Sequence, residues 1–185
     1  MKGVNIFLAD GFEDIEAISV IDVLRRGRIE VVTAALGEKP EVRSAHGITM
    51  KADALFSVVG GEVYDAIVLP GGGEGTMNLR NSEALAVRLR KQKEDGRLIC
   101  AICAAPTVLV AAGVLDPDQH VTCYPSCIGD LDRPNANVPV VADGTVVTGQ
   151  APGSSLLFAL VVLQQLAGEP VARKVALGMV TDVLD

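Results

Sequence analysis

The chain has 185 residues, 49% of them apolar, with 16 Lys and Arg against 23 Asp and Glu, for a formal charge of -7. That length suits one domain, residues 1–185, with a large core, and the composition excludes a disordered chain. The acidic balance argues against nucleic acid as a partner, since phosphate binding draws on clustered Lys and Arg.

The first apolar run, "VNIFLA" (4–9), is ended by "DG" and reads as a strand buried on both faces. "FEDIEAISVIDVLRRG" (12–27) has helical spacing, acids in its first turn, arginines in its last and Gly27 as a stop. A second strand follows at "IEVVTAA" (29–35), then a weakly alternating hairpin around Gly47 (42–53). "YDAIVLPGGG" (64–73) is a buried strand running into a glycine loop, and Ser82 caps a helix closed by Gly96. "RLICAI" (97–102) and the helical "AAPTVLVAAG" come next. "HVTCY" (120–124) reads as a further strand, and "VPVVAD/GTVVTG" as a hairpin turning at Asp143-Gly144. Two helices, the second opened by Pro170, close the chain. The two basic runs, "LRRGR" (24–28) and "RLRKQK" (88–93), each end a helical pattern and read as solvated faces.

Strands alternating with helices of this length make βαβ units, hence an α/β fold with a mostly parallel sheet and helices on both faces. In such sheets the site lies at the carboxyl ends of the strands, here near residues 10, 70 and 102. The N-terminal segment lacks a secretory pattern and the longest apolar run, "LLFALVVL" (156–163), is too short for a bilayer. A cytoplasmic protein without a membrane partner is the expectation, and structural disulfides are not expected there.

Several chemistries compete for the motifs. In "PGGGEGT" (70–76) the third glycine of a dinucleotide fingerprint would fall on Thr76, and no G-K-[ST] follows. The loop's amides could still form an oxyanion hole. Cys100, Cys103, Cys123 and Cys127 have a count suited to zinc, but Cys100 and Cys103 lie three apart in or beyond a strand and point to opposite faces. The same geometry weakens a redox C-x-x-C, leaving Cys100 as a small buried hydrophobe. Cys103 stands at the strand-to-helix joint, with Ala104 beginning the helical pattern. A helix N-terminus there favours thiolate, so a reactive nucleophile and a plain buried thiol both remain open.

A nucleophile wants a proton partner. The chain offers two histidines, His46 in the hairpin and His120 near an exposed loop. Glu16 shares a helical stripe with Phe12, Val20 and Val23. There it is either a partly desolvated acid with a raised pKa or a side chain snorkelling to solvent.

"LADGFEDIEAISVIDVLRR", "YDAIVLPGG", "ICAICAAP" and "TGQAPGSSLLFAL" together resemble the ThiJ/PfpI superfamily, over essentially the whole chain. The nearest resemblance is to its subgroup of parkinsonism-associated deglycases and their bacterial relatives. The resemblance implies a flavodoxin-like three-layer sandwich, usually a homodimer, without metal or organic cofactor. It places the nucleophile on Cys103, the hydrogen-bonding acid on Glu16 and the oxyanion amides on Gly72 and Ala104. The implied chemistry is attack of a thiolate on small reactive carbonyls such as methylglyoxal, giving a 2-hydroxy acid, or on glycated groups. The implied alternative is an oxidative-stress sensor or chaperone whose cysteine oxidises to a sulfinate. Ala104 replaces the histidine of protease-like members, which removes a peptidase reading. Tyr124 stands where the subgroup often has histidine, and His46 where it has an arginine. Cys123 and Cys127 are packed thiols or resolving partners for an oxidised Cys103.

Overall fold

The computed structural model describes residues 3–182. In chain order the elements are β1 (Val4–Leu8), α1 (Asp14–Arg26), β2 (Val31–Ala35), β3 (Glu41–Arg43), β4 (Thr49–Lys51), β5 (Ala54–Leu55) and α2 (Phe56–Val59). They continue with β6 (Ala66–Leu69), α3 (Gly73–Arg80), α4 (Glu83–Glu94), β7 (Leu98–Ile102) and α5 (Pro106–Ala112). After a 3-10 turn at Pro125–Asp130 come β8 (Val140–Asp143), β9 (Val146–Gly149), α6 (Ser155–Ala167) and α7 (Glu169–Gly178).

Seven strands form one sheet in the order β5-β2-β1-β6-β7-β9-β8, parallel except for β8 against β9. The five central strands follow the flavodoxin-like order. Every residue of β1 and β6 is buried, as strands covered on both faces require. Their side chains alternate between two cores. Val4, Ile6, Leu8 and Val68 meet α1 and α6 on one face, whereas Phe7, Ile67 and Leu69 meet Leu79, Leu85 and Leu89 of α3 and α4 on the other.

The chain leaves β1 for β2 on one side and later runs from β6 to β7 on the opposite side. That reversal opens a crevice above the carboxyl ends of β1 and β6, where the segments 9–13 and 70–73 meet. Glu13 N–H donates to Gly71 O (3.0 Å) and Gly75 N–H to Gly11 O (3.2 Å), stitching the two segments together.

Four expectations need correction. Residues 120–124 form no sheet strand. β9 occupies the place beside β7, and Val121 makes only an isolated bridge to Asn135. Thr122 is held through side chains, its N–H donating to Thr148 Oγ1 (2.9 Å) and its hydroxyl to Val138 O (2.8 Å). The glycine loop is shorter than expected, residues 70–72, because Gly73 already opens the first turn of α3. The helix after β7 begins at Pro106, with residues 103–105 forming a tight turn before it. Finally, the second basic run is not wholly solvated, since Arg88 is buried against the core while Arg90 and Lys91 keep ion pairs outside. The first run does lie outside, with Arg25 on Asp53 and Arg26 on Asp22.

Candidate active site

β7 ends at Ile102, and the next residue turns the chain sharply. Cys103 has φ +64°, a left-handed conformation that a residue with a Cβ adopts at a cost on the order of 1–3 kcal/mol. Hydrogen bonds on both sides enforce it. Its N–H donates to Gly149 O (2.9 Å), extending the ladder to β9, and its carbonyl accepts from Tyr124 N–H (2.8 Å). The turn then closes through Ala105 N–H to Ile102 O (3.0 Å). Pro106 follows as the first helical residue, where no N–H is needed.

Glu16 arrives from the first turn of α1. Glu13 caps that helix, its Oε2 accepting from Glu16 N–H (2.9 Å), so the backbone beneath Glu16 is fixed. The Glu16 carboxyl is fully buried, and its Oε2 accepts from Gly71 N–H (2.7 Å). Among the described residues its Oε1 is buried without a hydrogen-bond partner, and the carboxyl and the Cys103 side chain are close enough for each to shift the other's pKa. Gly71 lies between the two groups. A Cβ placed there would sit 2.7 Å from Cys103 Cβ and 2.8 Å from Glu16 Oε2, so any side chain would force the pair apart.

The backbone amides of Gly72 and Ala104 lie near enough to the Cys103 sulfur to favour its thiolate. Gly72 presents its amide from φ +94°, and a Cβ there would meet Gly11 O at 2.1 Å. Both residues expected to supply oxyanion amides thus converge with Cys103 and Glu16 on one point.

Burial pushes the Glu16 carboxyl up to about 7, helped by the Glu13 charge and opposed by the Gly71 amide and Cys103. Burial also pushes the Cys103 thiol up to about 12, followed by the charge and hydrogen bond of Glu16, against the pull of the Gly72 and Ala104 amides. The helix-terminus argument alone pointed the thiol downward. The correction is that Cys103 and Glu16 form a coupled pair in which two adjacent negative charges are disfavoured, so the pair keeps one proton from about neutrality upward. A thiolate forms when that proton sits on Glu16, whose O–H then donates to sulfur while two amides hold the negative charge.

The other candidates lie farther out. His46 is exposed and binds Asp14 through Nδ1 (2.7 Å), with Glu13 Oε1 at 4.0 Å. Asp14 also accepts from the Ser44 hydroxyl. Burial raises the Asp14 pKa, but its bonds from Ser44 and His46 outweigh that and hold it below the usual range. His46 is raised by the Asp14 hydrogen bond and charge. His120 binds Asp143 at the β8–β9 hairpin and takes no part. Tyr124 touches the nucleophile through its backbone, with the residue 42% exposed. Cys100 is fully enclosed in the sheet. Cys123 is buried with its Sγ on Tyr124 O (3.3 Å), Cys127 is half-buried, and all four thiols are free. Among the described residues, Glu13, Asp14 and His46 could offer a metal three ligand atoms within 4.8 Å of one another.

Sequence reasoning missed Glu13 and Gly71. The spacing "EDIE", an acid three residues before Glu16, is a legible capping signal. Nothing in the spacing marks Gly71, whose importance comes from a contact across the crevice.

Known proteins share this chain's sequence pattern and fold. The model of the DJ-1/PfpI family matches residues 2–165. Protein dj-1beta of Drosophila melanogaster is 36% identical over 181 residues, 96% of each chain. Its crystal structure superposes with a TM-score of 0.93 over 97% of this chain and 98% of that one. Oxidized DJ-1 of Toxoplasma gondii, also 36% identical, gives 0.92 over the same shares. DJ-1 homolog B of Arabidopsis thaliana is 38% identical over 95% of this chain, which spans only 40% of that protein's length. A Caenorhabditis elegans relative, 33% identical over 84% of this chain and 83% of its own, is named a glutathione-independent glyoxalase. The chain belongs to the DJ-1/PfpI family.

Proposed function

We propose that this protein is a cofactor-free, cysteine-dependent enzyme that converts 2-oxoaldehydes such as methylglyoxal to 2-hydroxy acids, with Cys103 as nucleophile and Glu16 as proton shuttle. The observation that supports the reading is a fully buried carboxyl, Glu16, held by Gly71 N–H (2.7 Å) directly beside a cysteine forced into a left-handed turn. The naming of the C. elegans relative as a glyoxalase supports the substrate class.

The chemistry follows from the placement. The Cys103 thiolate adds to the aldehyde carbon, forming a C–S bond, and the carbonyl oxygen takes the proton from Glu16 to give a hemithioacetal. The Glu16 carboxylate then removes the hydrogen from that carbon, leaving an enediol whose negative oxygen is held by the Gly72 and Ala104 amides. Returning the proton to the neighbouring carbon gives a thioester of the 2-hydroxy acid. Water cleaves the C–S bond and frees lactate and the thiolate. One carbon is oxidised and its neighbour reduced, so methylglyoxal and one water account for every atom and electron.

A second copy of the chain is the proposed partner. Ile15 (57% exposed) and Ile18 (52%) project from α1, and Ile48 (61%) from the β3–β4 hairpin that Phe12 and Asp14 tie to it. The free thiols suit a reducing cytoplasm.

The deciding experiment is lactate formation from methylglyoxal by wild type and Cys103→Ala, followed by NMR. Many turnovers by wild type and none by the variant support the proposal. Peroxide-dependent oxidation of one thiol per chain, with no lactate from wild type, would instead establish a sensor.

A further inference from the structure

A second buried charge lies in the layer formed by α2 and α4. Arg88 is only 6% exposed. Its Nη2 donates to Glu62 O (2.9 Å) and Gln92 Oε1 (2.8 Å), both neutral acceptors. Its Nε is buried with no hydrogen-bond partner. Among the described residues, no carboxylate oxygen lies within 4.0 Å of this guanidinium. Burial lowers its pKa, but an arginine cannot shed its proton under ordinary conditions, so the charge stays. Asp95 attracts the charge from beyond contact distance, but a buried cation without a direct ion-pair partner is still costly.

Arg88 lines a cavity of about 460 Å³ between α2 and α4. Phe56, Val63, Ala84 and Val87 give that cavity its apolar surface. Lys91 also borders it but is already paired with Asp95 (2.8 Å). Glu62 completes the rim, its carboxylate accepting from the Tyr64 hydroxyl (3.0 Å). The volume falls in the range of small-molecule sites, which combine apolar walls with a few placed polar groups.

We propose that this cavity binds a small organic monocarboxylate, its carboxylate paired with Arg88 and its apolar body against Phe56, Val63 and Val87. Arg88 feels the Asp95 charge only at a distance, without a direct ion pair, so a single negative charge in the cavity has an unfilled place beside it. The Glu62 carboxylate on the rim disfavours a dianion such as phosphate, and the apolar walls favour a carbon chain over a bare ion. The site is separate from the Cys103 crevice. Tyr64 and Glu62 precede the amino end of β6, whereas Cys103 follows the carboxyl end of β7.

The test is an NMR titration of isotopically labelled protein with hexanoate, hexanamide and inorganic phosphate. Hexanoate is expected to give saturable amide shifts in α2 and α4, with binding at least about tenfold tighter than for the other two probes. Arg88→Met and Ala84→Trp, the latter filling the cavity from an exposed helix position, should each weaken hexanoate binding by at least about tenfold. Cys103→Ala should leave it unchanged. If Arg88→Met does not fold, Ala84→Trp decides alone. The proposal is overturned if hexanoate produces no shifts up to about 10 mM, if hexanamide or phosphate binds as tightly, if Ala84→Trp binds normally, or if the shifts centre on residues 103–106 and vanish in Cys103→Ala.

Discussion

Glu16 and Arg88 are both ionisable side chains taken out of water, one at each end of the sheet, and the protein handles them in opposite ways. The carboxyl can neutralise itself, and burial accordingly raises it to about 7, where a proton is easily held and easily released. The guanidinium has no such escape and keeps its charge among neutral acceptors. A buried acid near its transition point is a proton store, whereas a buried guanidinium is a fixed field that a ligand can satisfy.

The sharpest way to break this contrast is Gly71→Ala. The new methyl would press on Cys103 Cβ and Glu16 Oε2 together. Conversion of methylglyoxal is expected to fall by roughly a hundredfold or more, since displacement of about an ångström from productive geometry has that effect. A steady-state assay with circular dichroism as the folding control checks it. Glu16→Gln removes the store but keeps the shape. Turnover should drop by about 10²–10⁴, the usual worth of a positioned acid–base group. Alkylation of Cys103 should titrate near 7 in wild type, with the first proton lost by the pair, and at least about one unit higher in the variant, where burial acts on an isolated thiol. Iodoacetamide rates across pH measure this directly.

Stability should follow the same logic. The folded-state pKa of Glu16, about 7, lies above its ordinary 4.5. The folded protein therefore holds a proton that the unfolded chain has released. The contribution is fully present below pH 4.5 and is lost as pH rises through 7, on the order of 3 kcal/mol in all. Urea denaturation at pH 5 and pH 8 should show that fall in wild type and not in Glu16→Gln. The smallest effect belongs to Arg88→Met. Replacing the guanidinium with an apolar chain removes its desolvation cost but leaves Glu62 O and Gln92 Oε1 without their donor, so these opposing effects should leave a net change within about 2 kcal/mol. That difference should be constant between pH 5 and 9, because the guanidinium does not titrate there. A pH-dependent difference would remove the contrast between the two ends.

Much of this was legible because it depends on local signals. Apolar runs ending at residues 9, 69 and 102 mark buried parallel strands, and a cysteine placed where the last of them stops is an elbow candidate. Glu16 shares a stripe with Val20 and Val23, which is enough to raise its burial. Illegible features depend on which segments meet. Strand-like "HVTCY" lost its place to β9, whose hairpin with β8 completes the sheet. Arg88 sits in a run that looks solvated, yet its position one turn before Gln92 on the inner side of α4 turns it inward. The left-handed backbone of Cys103 follows from bonds to Gly149 and Tyr124, far away in the chain.

The edges of the sheet have a consequence of their own. Its interior strands are apolar and rich in β-branched residues, the composition that recruits other chains into fibrils when exposed. On one flank the ladder tapers to the two residues of β5 before the chain coils into α2. On the other, β8 begins just after Pro139 and turns back at Asp143. Neither border gives an incoming strand a long row of free amides, so two residues on one flank and a four-residue strand entered through proline on the other screen the apolar centre from intermolecular pairing.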